Sequence, residues 1–196
     1  LPDLYFLRHG QTDWNLQGRF QGASDIPLNE TGLAQAQAVS LKLARYAAEK
    51  GQDPQQFALL SSPLLRARQT AATVARQLHI GEAGLEFVPV LREVSYGVWE
   101  GMTSLEVKER YPEERRTRKT DRWRFCPEGG ESHASRIPEL EAFLADQKAP
   151  AVVVSHTGVI RVCLYLLGCL DRDSALAEPI SQDKIYVFSK GSLALV

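Results

Sequence analysis

Missing from this 196-residue chain is any apolar run approaching the ~20 residues that a membrane span requires. Missing too is an excess of either charge: 23 Lys and Arg face 24 Asp and Glu, for a formal net charge of −1. No global field therefore draws the chain to nucleic acid or to a membrane surface, and any anion site must be local. The three cysteines, Cys126, Cys163 and Cys169, contain no CxxC pair, and the four histidines, His9, His79, His133 and His156, contain no HxxxH pair. Neither a disulfide framework nor a zinc site is expected, and no metal or cofactor is assigned. No signal-peptide pattern precedes the first apolar run, so a reduced, cytoplasmic protein is the expectation. What is present is ordinary: 44% hydrophobic and 24% charged residues, in a length that suits one domain with a substantial core.

The pattern along the chain alternates between strand and helix. Leu4-Tyr5-Phe6-Leu7 is a short buried strand, and a polar loop follows from Gln11 to Asn29. A helix is predicted over Thr31–Lys50, with the apolar stripe Leu33, Ala36, Val39, Leu43 and Ala47. Phe57–Leu60 reads as a strand, and Leu64–Leu78 as a helix with Pro63 in its first turn and the stripe Leu64, Ala67, Ala71, Val74 and Leu78. Phe87–Leu91 is the next strand, Leu105–Arg110 is helical, and Glu131–Gln147 forms another helix. Ala151-Val152-Val153-Val154, apolar at successive positions, is the expected central parallel strand. A helix over Val159–Leu167 ends at Gly168, and strands follow around Ile185–Phe188 and Ser192–Val196. This order implies an α/β three-layer sandwich: a central, mostly parallel sheet with helices on both faces.

Two histidines occupy equivalent places after strands, in Leu7-Arg8-His9-Gly10 and in Ser155-His156-Thr157-Gly158. Parallel strands bring both to the carboxyl edge of the sheet, where ligands of open α/β folds bind. Either histidine alone could be a ring satisfied by backbone hydrogen bonds at a strand end; the pair is harder to explain that way. Arginine beside an imidazole and a glycine suits phosphate chemistry, because the guanidinium offers a fork of donors and glycine admits close backbone approach. Arg66 lies near a helix start, where free N–H groups and the helix dipole also favour anions. Between Lys108 and Arg124, eight basic residues stand against four acidic ones. That stretch is either a solvated helical excursion or a lid that steers anionic substrates.

These blocks together resemble the histidine phosphatase superfamily, the branch that also contains the cofactor-dependent phosphoglycerate mutases. The matching stretches run in the family's order: Leu7–Asn15, Pro27–Gly32, Ser61–Ala71, Leu91–Gly101 and Val154–Gly158. The resemblance implies that His9 attacks phosphorus and becomes a phosphohistidine, its other ring nitrogen bonded to a backbone carbonyl. It implies further that Arg8, Arg66 and His156 surround the phosphoryl oxygens without a metal, and that Glu93 is the general acid, with Glu100 as its rival. For that role the Glu93 pKa must be raised, and an acid-leaning pH optimum is expected. Asn15, Gln21 and the backbone N–H of Thr157 are the substrate-binding residues it suggests.

The same resemblance separates hydrolysis from phosphoryl transfer to a second hydroxyl. The chain is shorter than is typical of the mutases; Gln21 stands where mutases tend to carry a small hydroxyl residue, and Met102-Thr103-Ser104 stands where they present a lysine. Pro127–Ser132 resembles a Gly-Glu-Ser segment of the small phosphatases, in which Glu131 either caps the following helix, the favoured role, or approaches the substrate. The implied protein is a single domain over 1–196 with a lid-like insertion around 100–135. It is a metal-independent, acid-type phosphatase of small phosphomonoesters, with no nucleic-acid or membrane partner and with homodimerisation left open. A mutase and a non-catalytic phosphate-binding scaffold are the alternatives. Tyr96, Trp99, Trp123 and Phe125 either wall a site for a ring-bearing substrate or pack the core.

Overall fold

The protein was analysed as a computed structural model that describes residues 1–81 and 84–196. In chain order its regular elements are β1 (Leu4–Arg8), α1 (Asp13–Leu16), α2 (Glu30–Glu49), β2 (Ala58–Ser61), α3 (Leu65–Gln77) and β3 (Leu85–Phe87). They continue with α4 (Ser104–Arg110), α5 (Pro112–Thr120), α6 (Ile137–Ala145), β4 (Ala151–Ser155), α7 (Thr157–Leu166), α8 (Arg172–Ala177), β5 (Ile185–Ser189) and β6 (Ser192–Leu195).

The strands form one sheet in the order β3-β2-β4-β1-β5-β6. The first four of these run parallel; β5 pairs antiparallel with β1, and β6 pairs antiparallel with β5. Because side chains alternate across a strand, β1 feeds two cores. Leu4 and Phe6 pack with Leu60, Val153 and Tyr186 beneath α6 and α7, whereas Tyr5 and Leu7 pack with Leu59, Val152 and Val154 beneath α2 and α3. The continuous valine run of β4 is buried at every position, as a strand covered on both faces must be. The chain is thus an α/β sandwich with a mostly parallel sheet, the architecture its pattern predicts.

Several boundaries move for physical reasons. The buried stripe of α2 is Gly32, Ala36, Val39, Ser40, Leu43 and Ala47, and Leu33 is 46% exposed, because the first turn approaches the chain after β1 through a glycine rather than a leucine. β3 ends at Phe87 instead of running to Leu91, since Pro89 has no N–H for a ladder and opens a 3-10 turn over Pro89–Leu91. α6 starts at Ile137, not at Glu131, because the preceding residues are occupied by ion pairs and a 3-10 turn. Within the expected polar loop, a capping box between Thr12 and Asn15 supports the four-residue α1.

What places the site is register. Arg8 pairs with Ser155, and the His9 N–H donates to the Ser155 carbonyl at 3.0 Å, so the residues that follow, His9 and His156, leave neighbouring strands side by side. Gly10 lets this edge close: a Cβ there would stand 2.2 Å from the carbonyl oxygen of Gly32, at the start of α2.

Candidate active site

The two imidazoles are buried, with ring centroids 5.0 Å apart. His9 Nδ1 lies 2.7 Å from the Gly10 carbonyl oxygen. A carbonyl can only accept, so Nδ1 carries the proton and the neutral ring presents its lone pair at Nε2. Burial pushes the His9 pKa well below that of an ordinary histidine, and the Arg66 and Arg8 charges push it the same way. His156 Nε2 lies 2.7 Å from Ser62 Oγ, while its buried Nδ1 has no partner among the described residues. Its pKa is also held well below the usual value, by burial first and then by Arg66, His9 and Arg8.

Arg66 sits in the first turn of α3 with no solvent exposure. Its Nη1 donates to the Ser24 carbonyl at 2.7 Å and its Nη2 to the Gly22 carbonyl at 2.8 Å, while Nε has no partner. Arg8 Nη1 donates to the Ile180 carbonyl at 2.8 Å, and its Nε is likewise buried and unpartnered. Carbonyls thus aim both guanidiniums without neutralising them. An unpaired buried N–H costs about 1–3 kcal/mol, which an anion with several acceptor oxygens would recover.

Glu93, 8% exposed, is carried on a tightly pinned segment. Ser155 Oγ donates to the Leu91 carbonyl at 2.8 Å, and Arg136 donates to the carbonyls of Val90 at 2.7 Å and Arg92 at 3.2 Å. The Glu93 carboxylate accepts the N–H groups of Val94 and Gly158, each at 3.0 Å. Gly158 is needed here, because a Cβ would stand 2.6 Å from Glu93 Oε1. Glu100, the rival acid, is committed elsewhere. Its oxygens accept from the backbone N–H groups of Ala23, Ser24 and Tyr96 and from the hydroxyls of Ser24 and Ser95, tying the 22–24 loop to the 95–96 turn.

Glu131 does not cap a helix, contrary to the sequence expectation. It forms a two-pronged pair with Arg92 at 2.6 and 2.7 Å, accepts the Ser95 N–H at 3.0 Å, and lies 3.4 Å from the buried Arg136. Burial alone would push its pKa up; the Arg92 and Ser95 hydrogen bonds and the Arg136 charge outweigh that and hold it below the ordinary value. Its helix-capping role fails because Arg92, remote in sequence, claims both oxygens and Arg136 adds to the hold.

The secondary assignments fall around the two histidines to different degrees. Gln21 is buried and accepts the Thr12 hydroxyl at 2.9 Å, and Asn15 Oδ1 accepts the Thr12 N–H at 3.1 Å, so both amides are oriented by Thr12. Thr157 opens α7 directly after His156 and lines, with Arg8, a cavity of about 310 Å³. Trp99 and Trp123 are 1% and 3% exposed and pack into the interior, so they form no substrate wall. Ser62 and Arg161 were not singled out from sequence as site residues, and Arg118 and Arg122 entered only as members of the basic stretch. Arg161 interrupts the apolar pattern of α7 five residues after His156, which is a readable signal. Among the described residues, no group of three or more His, Cys, Asp and Glu side chains gathers as a metal site would require, and no helix is long and apolar enough to cross a membrane.

Comparison with known proteins agrees with this geometry. Phosphoserine phosphatase 1 of Hydrogenobacter thermophilus is 35% identical over 176 residues, covering 86% of this chain and 77% of its own. The glucosyl-3-phosphoglycerate phosphatase of Mycolicibacterium vanbaalenii is 35% identical over 172 residues, covering 80% and 70% respectively. The solved structure of mycobacterial glucosyl-3-phosphoglycerate phosphatase Rv2419c complexed with VO3 superposes with a TM-score of 0.80 at 26% identity, covering 100% of this chain and 98% of that one. Several other curated relatives are longer, and the chain spans half of their length or less. The profile of the histidine phosphatase superfamily (branch 1) matches residues 4–189, and with paired histidines at the carboxyl edge of its sheet, the chain belongs to that superfamily.

Proposed function

We propose that the protein hydrolyses phosphomonoesters of small metabolites through a phosphohistidine formed on His9. The observation that carries this reading is the orientation of His9: Nδ1 is anchored to the Gly10 carbonyl, so Nε2 offers its lone pair beside the buried Arg66 and the half-buried Arg8, each with a buried Nε–H that has no partner among the described residues. The substrate's phosphoryl group docks among Arg8, Arg66 and His156, with the Thr157 N–H, Asn15 and Gln21 as further donors. His9 Nε2 then forms the P–N bond as the P–O bond breaks, and the leaving oxygen takes a proton from Glu93. In the second half, water attacks phosphorus and gives its proton to Glu93, the P–N bond breaks, and His9 returns to its neutral form.

A neutral nucleophile is required at the first step, and burial together with the neighbouring Arg66 and Arg8 charges, which hold the His9 pKa well below the ordinary value, supplies it. Glu100 is unsuited to the proton donor's role because five donors already converge on it. The reading takes residues 1–196 as a single domain in which 100–135 form a lid-like insertion, supported by Arg118 of α5 lying 5.8 Å above the Phe20 ring and 6.0 Å above that of Trp99. A cytoplasmic location and a small-molecule partner complete it, with neither nucleic acid nor membrane involved.

A phosphomonoester panel tests this function, following phosphate release and isomer formation together, with His9→Ala as the blank. Phosphate release by the wild-type protein, with a phosphohistidine trapped by rapid quenching and mass spectrometry, is the expected result. Isomer formation without release would identify a mutase, and neither product would identify a binding scaffold.

A further inference from the structure

We propose that Ser62 is a positioning residue that fixes the tautomer of His156, so that this ring presents a proton, and His9 a lone pair, to the phosphoryl group. The inference rests on the phosphatase reading and names the group that divides the work between the two histidines of that site. Register brings the serine to the ring. β2 runs parallel to β4 with Ser61 opposite Val154, and the Ser62 N–H donates to the Val154 carbonyl at 3.0 Å, so Ser62 leaves its strand beside the end of β4 from which His156 emerges. Both side chains are fully buried.

The direction of the bond between them follows from the hydrogens available. His156 Nε2 lies 2.7 Å from Ser62 Oγ, and the other hydrogen-bond partner of that oxygen among the described residues is the Leu64 N–H at 3.2 Å. An amide N–H can only donate, so Ser62 Oγ accepts from Leu64, and the hydroxyl's own hydrogen has the imidazole as its acceptor. A buried hydroxyl hydrogen is costly to leave unpaired. Ser62 therefore donates to Nε2, and the single proton of the neutral ring stays on Nδ1. The ring is neutral because burial first, and then Arg66, His9 and Arg8, hold its pKa well below the usual value. Nδ1 is buried without a partner among the described residues, which leaves its N–H for a ligand oxygen to accept.

His9 is anchored in the opposite sense. Its Nδ1 faces a carbonyl, so the proton is used by the anchor and the lone pair remains at Nε2. His156 faces a donor, so the lone pair is used by the anchor and the proton remains. Two rings with centroids 5.0 Å apart thus become one nucleophile and one hydrogen-bond donor. With its proton on Nε2 instead, His156 would turn a second lone pair toward the anionic phosphoryl oxygens, and a stabilising bond would become a repulsion. Ser62 itself touches no substrate. A serine that merely secured the start of α3 through the Leu64 N–H would act on Arg66 rather than on His156.

Proton–nitrogen correlation spectra of protein labelled at its histidines read the tautomer, with His156→Ala identifying the His156 signals. The parent should carry its His156 proton on Nδ1, and Ser62→Ala should move it at least partly to Nε2. Calorimetry with inorganic phosphate should show affinity falling roughly 10-fold in Ser62→Ala, the worth of one hydrogen bond to a charged acceptor. The same change made in His156→Ala protein should cost no more than ~2-fold, because the serine then has no ring to orient. A parent ring protonated at Nε2, or a tautomer unmoved by Ser62→Ala, overturns the proposal, as does an unchanged phosphate affinity. An equal loss of affinity in both backgrounds would place the effect on α3 and Arg66 and also overturn it. The tautomer is read on the free protein. A phosphomonoester panel without phosphate release therefore refutes hydrolysis and leaves the tautomer standing, whereas release by a parent protonated at Nε2 refutes only the role of Ser62.

Discussion

Replacing Glu93 and Glu100 by glutamine, one at a time, should separate a proton donor from a structural carboxylate. Glutamine keeps one oxygen at position 93, enough to accept from Val94 and Gly158, so the Glu93→Gln fold should survive with a melting temperature close to the parent's. What is lost is the proton. General acid catalysis contributes roughly 10²–10⁴-fold, so kcat on an alkyl phosphate such as glycerol phosphate should fall by that factor. Turnover of p-nitrophenyl phosphate, whose leaving group needs no proton, should fall far less. Glu100→Gln should behave oppositely. Glu100 Oε1 accepts three of its hydrogen bonds and Oε2 two, so the new NH2 must face at least one backbone N–H whichever way the amide turns, and a serine hydroxyl must turn round to accept from it. At about 1.5–3 kcal/mol for a bond to a charged acceptor, losing one such bond and facing its donor unpaired costs at least that much, about 2–4 kcal/mol. For a chain of this size that corresponds to a drop in melting temperature of roughly 10 °C, with both substrates affected alike. Steady-state kinetics on the two substrates and thermal denaturation read the difference. Undiminished alkyl phosphate turnover in Glu93→Gln would refute the assignment, as would an alkyl-selective loss in a thermally intact Glu100→Gln.

Gly158→Ala puts a methyl group 2.6 Å from Glu93 Oε1 and 2.8 Å from Val94 Cγ2, so the carboxylate must swing aside. Its kcat on alkyl phosphates should fall at least ~10-fold while phosphohistidine formation from p-nitrophenyl phosphate persists, and an unchanged ratio of the two rates would count against the close approach. His133, buried and stacked on Trp123, has its pKa lowered from 6.5 to about 3, so the unfolded chain takes up the proton first as pH falls. Its stabilising contribution is complete well above pH 6.5 and is lost on acidification, by roughly 2–3 kcal/mol at pH 4.5. His9 and His156 act in the same direction, so the measurement is a difference: His133→Phe should flatten the stability profile between pH 6.5 and 4.5 by roughly that amount in denaturant titrations. Identical slopes in variant and parent would contradict the burial argument. Glu131→Ala removes the carboxylate shared by Arg92 and by Arg136, of which the latter is 1% exposed, and should destabilise the fold by about 2–4 kcal/mol. A melting temperature unchanged by that substitution would mean that the clamp behind Glu93 is idle.

How far the chain could be read from its sequence follows from the range of each interaction. β4 and the stripes of α2 and α3 were legible because burial imposes a local period; of the misplaced positions, Leu33 lies where a glycine contact between segments sets the helix phase, and Leu64 is the half-buried N-cap of α3. His9 and His156 were legible as a pair because each follows its strand immediately and parallel register does the rest. Glu131 was misread because its principal partner, Arg92, lies 39 residues away, and no local signal distinguishes an acid that caps a helix from one that holds a distant arginine. The lid was legible only as composition. Eight basic residues occur between Lys108 and Arg124, but their sequence cannot say which of them lack a carboxylate after folding. Arg116 and Arg124 each pair with an acid three residues away, whereas Arg118 and Arg122, one helical turn apart in spacing, do not. Residues that perform chemistry on the phosphoryl group are fixed by backbone geometry at strand ends and announce themselves as motifs. Which basic side chains of that stretch are left without a carboxylate is a property of the whole folded surface that no short stretch of sequence contains.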